Sequence, residues 1–514
     1  MKTMIVKRFS NQPISAILEN KKKIIVIGAG FAGLSAATYL AHQGCDVTIL
    51  EKNEVAGGRA RQYVAEGFTF DMGPSWYWMP DIFEQYFADF GKKRADYYDL
   101  VRLDPSYTVF FNENQIWNIP AKMSELEALF ERAEAGSTIA LRQFLKEAAY
   151  KYQTGIGEFV QKPSQSITEF IDIRILKSVF RLDMFTSMSK HLQKWFKNPK
   201  LIQLLEFPVL FLGATPQNTP ALYSMMNYAD MSLGTWYPMG GMFEIVKGMV
   251  RLAEEKGVRI LLNQEVKQII VDKKKNVTAC ATNTNHFEAD YVIAGADYHH
   301  IEQVVLPSEF RHYSAAYWDK RVMAPSSLIF YLGVNKRLTN LNHHNLFFDE
   351  DFNLHAKEIY ETPKLPTNPL FYVCVPSVTD ATVAPEGCEN LFILIPLAPN
   401  LPDEKDDWRE KYYDMVMTRL EKLTGQSVRD AVIYKRSYAH RDFQKDYHAF
   451  KGNAYGLANT LMQTAFLKPK LKNKHLNNLY YTGQLTVPGP GVPPSLISGK
   501  IVSKVITKRS DFKK

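Results

Sequence analysis

The residues best placed to do chemistry in this sequence are three glycines near its start, Gly28, Gly30 and Gly33. They follow an apolar run at residues 24–27 and open a segment with helical spacing. Each glycine has a separate use. Gly28 allows a tight turn out of the strand, Gly30 allows the backbone to approach a pyrophosphate closely, and Gly33 allows the helix to pack closely on the sheet. The unpaired N–H groups at the start of such a helix favour a bound diphosphate.

Glu51 completes this pattern, because it follows a second apolar strand at residues 47–50. It lies about 20 residues after the first glycine, where a carboxylate is placed to bind both ribose hydroxyls of an adenosine. The same carboxylate would repel a 2′-phosphate, so the pattern disfavours NADP. FAD and NAD both remain open on these residues alone.

A second glycine-rich turn, Gly57-Gly58-Arg59, discriminates between the two cofactors. Paired glycines permit another close approach of backbone to a cofactor, and Arg59 can present its forked guanidinium to a diphosphate. The alternative interpretation of the triplet is a surface turn.

The elements around these residues predict an α/β protein with two domains. Residues 24–51 form a βαβ unit, residues 117–230 carry apolar residues at helical spacing, and strand-like runs return from residue 259 and between 325 and 400. A short strand at 479–481 leads into a Gly/Pro-rich turn and a final helix from Ser495. We therefore predict a dinucleotide-binding domain assembled from separate segments, with a second domain inserted into it.

Composition excludes several classes of protein. The 514 residues are 46% hydrophobic and 23% charged, which is typical of a globular chain and not of a disordered or fibrous one. The longest apolar run, residues 207–214, is far shorter than the ~20 residues that a membrane-spanning helix needs. Four scattered cysteines without C-x-x-C spacing indicate neither a disulfide scaffold nor a thiolate metal site, and they favour the cytoplasm.

The charge of the chain is concentrated at its ends. The formal net charge is +8, and residues 1–23 and 500–514 each carry six Lys or Arg against one acid. Such ends could contact anionic lipid or nucleic acid, whereas a solvated tail is the simpler interpretation. The adjacent pairs His299-His300 and His343-His344 should point in different directions, so they predict no metal site.

Longer motifs resemble the bacterial-type phytoene desaturases, the carotenoid-forming branch of the amine-oxidase-like flavoproteins. The resemblance runs from about Lys22 to the C-terminus. Its motifs are GAGFAGLSAATYLAHQGCDVTILEKNEVAGGRA (28–60), GFTFDMGPSWYWMP (67–80), TWYPMGGMFEIVKGM (235–249), PSVTDATVAPEGCENLFIL (376–394) and NLYYTGQLTVPGPGVPPSLISGK (478–500).

The resemblance implies FAD as cofactor, held by residues from several segments. By this resemblance, the ADP half of FAD is bound by the residues nearest the start of the chain, and the isoalloxazine lies near residues 73–75. Backbone groups at Val266 hold the adenine, and the last turn directs the final helix at the flavin. Gln484 departs from the family, which often has an acid there, and could bind a ribityl hydroxyl. The implied binding residues are Gly28, Gly30, Gly33, Glu51, Gly57, Gly58, Arg59, Gly73, Pro74, Ser75, Val266, Gly483, Gln484 and Pro493.

The resemblance also implies an activity, namely FAD-dependent desaturation of phytoene through successive dehydrogenations toward lycopene. Hydride transfer to flavin and proton loss from the neighbouring carbon leave the hard step to the cofactor, so no catalytic side chain is predicted. Without a second Gly-x-Gly-x-x-Gly motif, the electrons are expected to leave to oxygen or a quinone. Two alternatives stay open: a carotenoid isomerase or later-pathway carotenoid desaturase, and a prenyl-lipid-binding module that has lost its redox activity.

A phytoene-type hydrocarbon implies a membrane surface as partner, and no nucleic acid is expected. The predicted protein is cytoplasmic and peripherally membrane-associated. Its fold is an α/β Rossmann-type FAD-binding domain at residues 22–98, 235–310 and 452–508, with an inserted α+β substrate and membrane-associating domain at 99–234 and 311–451.

Overall fold

The structure is a computed structural model that describes residues 21–164, 183, 186–212, 215–403 and 407–508. Most of the two basic ends, residues 1–20 and 509–514, lies outside the described residues, and so does the first part, residues 171–182, of the helical segment predicted at 171–205. The part of that segment that is described forms the helices Met188–Trp195 and Pro199–Glu206.

A five-stranded parallel sheet, here called the nucleotide sheet, carries the glycine motif. Four of its strands are short apolar runs that are largely buried, as expected for a parallel sheet covered by helices, and the edge strand Arg259–Leu261 is only partly buried. This sheet and its helices confirm the predicted α/β class. In spatial order the strands are Leu479–Tyr481, Tyr291–Ala294, Lys23–Ile27, Asp46–Leu50 and Arg259–Leu261.

Two helices from opposite ends of the sequence pack tightly on this sheet, Phe31–His42 and Val492–Thr507. A Cβ added to Gly499 would lie 2.5 Å from the carbonyl oxygen of Ala32 and 2.6 Å from the amide nitrogen of Ala36. The two helix backbones therefore touch at Gly499, and this contact ties the C-terminal helix to the glycine motif.

Gly499→Ala is expected to lower the free energy of unfolding by about 1–3 kcal/mol, the usual cost of overpacking. Alanine favours a helix over glycine by about 1 kcal/mol, so any loss must come from the helix contact. Urea denaturation measures it. Lys504→Ala, on the exposed face of the same helix, should change stability by less than about 0.5 kcal/mol. Equal stability of the two variants would contradict this packing.

A seven-stranded sheet, here called the large sheet, lies apart from the first. Its neighbours run antiparallel except for the parallel pair His344–Phe347 and Tyr107–Asn112. Side chains alternate between two cores, so that Leu328 and Phe330 face one and Ile329 and Tyr331 face the other. In spatial order the strands are Val432–Tyr438, Ser326–Val334, Glu389–Leu397, Phe371–Cys374, His344–Phe347, Tyr107–Asn112 and Gln115–Ile119.

Helices cover both faces of the large sheet. The helix Asp407–Thr424 packs on one face, and helices that include Met123–Ala133 and Ser137–Thr154 pack on the other. The predicted domain boundaries near residues 98, 234, 310 and 451 stay predictions.

The remaining elements are the final helix, several smaller helices and the strands outside the nucleotide sheet and the large sheet. The predicted final helix begins at Val492 and not at Ser495, because proline is tolerated in the first turn of a helix. Within the described part of the chain, no helix is both long and apolar enough to cross a bilayer. The other strands are Gln62–Ala65, Phe68–Asp71, Leu100–Arg102, Trp236–Pro238, Gln268–Val271, Val277–Ala281 and His286–Glu288, and the other helices are Pro80–Ala88, Met225–Met231, Phe243–Glu255, Tyr298–His300, Ala315–Asp319, Phe352–Tyr360 and His440–Tyr447.

Candidate cofactor and substrate cavity

A cavity of about 940 Å³ lies between the nucleotide sheet and the large sheet. It brings together segments that are hundreds of residues apart in the sequence. Gly33 does not line it, and lies beneath its floor, where an added Cβ would be 2.0 Å from the carbonyl oxygen of Gly28. The predicted residues that do line it are Gly28, Gly30, Glu51, Gly57, Gly58, Arg59, Gly73, Pro74, Ser75, Val266, Gly483, Gln484 and Pro493.

The two glycine turns face each other across one end of the cavity. Gly57 donates its N–H to the carbonyl oxygen of Ala29 at 2.9 Å, and a Cβ on Gly58 would lie 3.3 Å from the Cα of Gly30. Gly28, Gly57 and Gly58 all have positive φ, which side chains disfavour. At Gly30, in contrast, no atom of the described residues lies within 4 Å of an added Cβ. The turns thus leave open space over the start of a helix, as a diphosphate requires.

Glu51 is buried beside these turns and is held by protein hydrogen bonds. Its Oε2 accepts from the amide of Ala29 at 2.7 Å, and its Oε1 accepts from the backbone and side-chain nitrogens of Asn53 at 2.9 Å. A carboxylate has about four acceptor positions and Glu51 lines the cavity, so an acceptor position remains for a ribose hydroxyl. The predicted contact with both ribose hydroxyls stays a prediction.

Arg59 places a half-buried cation on the cavity wall. Burial lowers the pKa of its guanidinium, and the nearby carboxylate of Asp297 acts in the opposite direction. The Tyr447 ring lies 5.3 Å from the guanidinium carbon, and Nε of Arg59 finds no hydrogen-bond partner among the described residues. A half-buried guanidinium with an unused donor on the cavity wall fits a diphosphate.

The contacts of Gln484 give a reason for a glutamine where the family often has an acid. With its amide turned so that both ends are satisfied, its oxygen accepts from both terminal nitrogens of Arg59 at 3.0 Å, and its nitrogen donates to the carbonyl of Tyr455 at 3.3 Å. An acid at this position would neutralise Arg59. A neutral glutamine orients the guanidinium and leaves its charge available to an anion.

The middle of the cavity is bounded by residues 73–75 and the large sheet. Gly73 fits tightly, because its added Cβ would lie 2.3 Å from the carbonyl oxygen of Arg59. The hydroxyl of Tyr372 donates to Ser75 Oγ at 3.0 Å, and His344 Nδ1 lies 2.6 Å from the same hydroxyl. The ring of His344 also stacks on Trp76, with centroids 4.1 Å apart.

Sequence reasoning missed three of these residues, namely Asp297, Tyr372 and His344. Asp297 had a usable signal, because it follows the strand Tyr291–Ala294 at the carboxyl edge of a parallel sheet, where ligands bind. Tyr372 and His344 reach the cavity because their strands pair in the large sheet, and no local sequence pattern predicts that pairing.

The other half of the cavity is mostly apolar. From the motif at residues 67–80, Trp76, Trp78 and Met79 line the cavity, whereas Tyr77 and also Tyr237 are core residues that are almost fully buried. Polar exceptions near this end are Lys162 and Ser164. The apolar lining comprises Trp78, Met79, Phe83, Ile156, Val160, Pro208, Leu222, Tyr223, Met225, Met226, Phe466 and Leu467.

A parallel nucleotide sheet, facing glycine turns and an arginine on the cavity wall define an FAD-type flavoprotein with a large apolar cavity. The chain belongs to the flavin containing amine oxidoreductase family, whose model matches residues 31–507. It is 40% identical to a carotenoid 3,4-desaturase of Haloarcula japonica, over 94% of this chain and 97% of that protein. It is 30% identical to a zeta-carotene-forming phytoene desaturase of Myxococcus xanthus, over 94% and 93% of the two chains.

The fold has solved counterparts. An oxidoreductase from Methanosarcina mazei matches with a TM-score of 0.61 at 16% identity, over 94% of this chain and all of that one. The comparisons confirm the predicted resemblance to the bacterial-type carotenoid desaturases, the oxidoreductase class and FAD as cofactor.

Proposed function

We propose that this protein is an FAD-dependent phytoene desaturase that carries out successive dehydrogenations toward lycopene, with oxygen or a quinone as electron acceptor. One observation carries the proposal, which is that the glycine turns and the apolar lining belong to the same cavity. A hydrocarbon in the apolar half can therefore reach the cofactor. The carotenoid substrates named for the relatives above support the substrate class.

FAD, when bound, supplies the two-electron oxidant for a C–H bond of the substrate. The chain's own residues bind and orient. The backbones of Gly30 and Gly58 make room for the diphosphate, the guanidinium of Arg59 offsets its charge, and Glu51 accepts from the ribose. Phytoene has no polar group to grip, so apolar side chains such as Trp78 and Met226 fix its position by shape and exclude water.

A later-pathway carotenoid desaturase is the second candidate, because the 40% identical relative is a 3,4-desaturase. Incubation with phytoene or lycopene in liposomes, followed by chromatography and mass analysis of products, separates the two. We expect phytoene to lose hydrogens in pairs. Conversion of lycopene alone would favour the second candidate, and conversion of neither would reject both.

We also infer that the protein works at a membrane surface, since a hydrocarbon substrate resides in the bilayer. Exposed apolar side chains adjoin the cavity in support of this. Leu467 lines the cavity and is 38% exposed, and Met462, in the same segment of the chain, is 74% exposed. These two residues mark a candidate mouth that rests on lipid.

Met462→Glu combined with Leu467→Glu is expected to reduce co-sedimentation with liposomes at least about tenfold, because burying such side chains contributes about 1.5–3 kcal/mol each. Val304→Glu is the control, since Val304 is 65% exposed and lies outside the described cavity lining. If the double variant sediments like the control, this mouth does not contact lipid.

A further inference from the structure

Behind Ser75, the large sheet buries a cluster of His343, His344 and Cys374. One ring nitrogen from each histidine and the sulfur of Cys374 all lie within 4.8 Å of one another, and all three side chains are buried. The sheet itself makes this cluster. His344 and Cys374 are direct neighbours on the paired strands His344–Phe347 and Phe371–Cys374.

His343 joins the cluster because the chain bends there, just before the strand begins. The two imidazole centroids lie 4.5 Å apart. Adjacent histidines point in different directions on a regular helix or strand, which is why no metal site was predicted here. His343 lies at a bend, so its side chain can turn toward that of His344.

Both histidines leave Nε2 buried and without a hydrogen-bond partner among the described residues. Each Nδ1, in contrast, has an oxygen partner, Thr379 Oγ1 at 2.8 Å for His343 and Tyr372 Oη at 2.6 Å for His344. An unpartnered buried polar atom is destabilising. The buried His355 differs, because both of its nitrogens are paired, with the amide of Leu370 and the carbonyl of Pro396 at 3.0 Å.

Tyr372 Oη is a hydrogen-bond partner of both His344 Nδ1 and Ser75 Oγ. A proton on Nδ1 of His344 that is donated to this hydroxyl leaves a free lone pair on Nε2 of the same ring. A histidine that donates one N–H to an oxygen and presents its other nitrogen is the arrangement found for metal ligands.

We propose that His343, His344 and Cys374 bind one zinc ion, each histidine through the ring nitrogen that has no protein partner. Two imidazoles and a thiolate suit zinc, and three protein ligands leave a fourth position for water. A cavity of about 20 Å³ beside the cluster, lined by Asp71, Ser75, His343 and Cys374 among others, has room for that water.

Binding the ion involves one proton. Burial raises the pKa of the Cys374 thiol to about 12, so without metal the sulfur is protonated at neutral pH. On binding, the S–H bond breaks, a Zn–S bond forms and one proton leaves to solvent. The ion would hold His344, and through it Tyr372 and Ser75, in place on the wall of the main cavity. This is a positioning role that does not depend on which carotenoid is the substrate.

The test uses the full-length protein. Zinc is measured by mass spectrometry after purification, then removed with a chelator, and cobalt(II) is titrated in while absorbance is recorded. We expect about one equivalent of zinc per chain and a thiolate-to-cobalt charge-transfer band with tetrahedral visible bands. Stoichiometric copper in place of zinc would overturn the assignment of the ion, and a wild-type protein without a thiolate–cobalt band would overturn the site.

Variants locate the sulfur ligand. Cys374→Ser should lose the charge-transfer band, and Cys280→Ser, which removes another fully buried thiol on the strand Val277–Ala281, should keep it. A folded Cys374→Ser protein with the wild-type band would overturn the proposal. If that variant fails to fold, His344→Gln serves, with the expected loss of about one equivalent of bound cobalt, and unchanged cobalt binding would count against the site.

Discussion

Gly30→Val is expected to give a folded protein that has lost FAD. The backbone at Gly30 has an ordinary φ of −76°, and the described residues leave open space around an added Cβ, so valine fits without strain. Its side chain would stand in the cavity opposite Gly58, where the diphosphate must approach the backbone. We expect FAD affinity to fall at least about 100-fold, measured by flavin absorbance per chain and by equilibrium titration of the apoprotein.

Gly157→Val is the matched control for this variant. Gly157 is exposed, an added Cβ there also meets open space, and it lies outside the described cavity lining. It should keep its flavin. Gly33→Val would not discriminate, because the clash with Gly28 threatens the fold itself. Normal flavin content in a folded Gly30→Val protein would show that the diphosphate lies elsewhere.

Gly155→Phe is expected to block carotenoid turnover while FAD stays bound. Gly155 lines the apolar half of the cavity in a helical conformation, φ −62° and ψ −55°, which any residue adopts. The nearest atom to an added Cβ is Met225 Sδ at 3.4 Å, so a phenyl ring must enter the cavity. Because the ring occupies the place of the hydrocarbon, we expect kcat/KM to fall at least about 100-fold, which is about 2.7 kcal/mol of lost binding.

The control for this change lies two residues along the chain. Gly157→Phe adds the same ring on the exposed side of the helix Gly155–Phe159 and should leave turnover within a factor of about 3, as is usual for surface changes. Equal turnover of the two variants would mean that the hydrocarbon does not pass this part of the cavity.

The sequence predicted the local parts of this structure well. The βαβ unit at residues 24–51 was predictable because strand, turn and helix signals lie side by side and agree. The start of the final helix was placed three residues late, since Pro493 and Pro494 read as a turn although they sit within the first helical turn. The large sheet was not predicted as one unit, because it joins Tyr107–Asn112 to strands more than 200 residues later.

The same division applies to the site. The glycines were predicted as a group because the backbone geometry that requires them is local, and it therefore appears in the sequence as a fixed spacing. Asp297 and Tyr372 were missed because their places depend on strand order and on pairing register, which are set by the whole fold. The bend at His343 likewise depends on its surroundings in the large sheet, so the cluster of two histidines and a cysteine had no sequence signal.

The most direct test of the proposed phytoene desaturase activity is whether phytoene reduces the flavin of this protein. The purified holoprotein is mixed anaerobically with liposomes that contain phytoene, while flavin absorbance is recorded and the lipid is then extracted. We expect bleaching of the flavin together with a product that has lost two hydrogens, and no bleaching in Gly155→Phe. An oxidised flavin beside unchanged phytoene, in a holoprotein that chemical reductants do bleach, would contradict it.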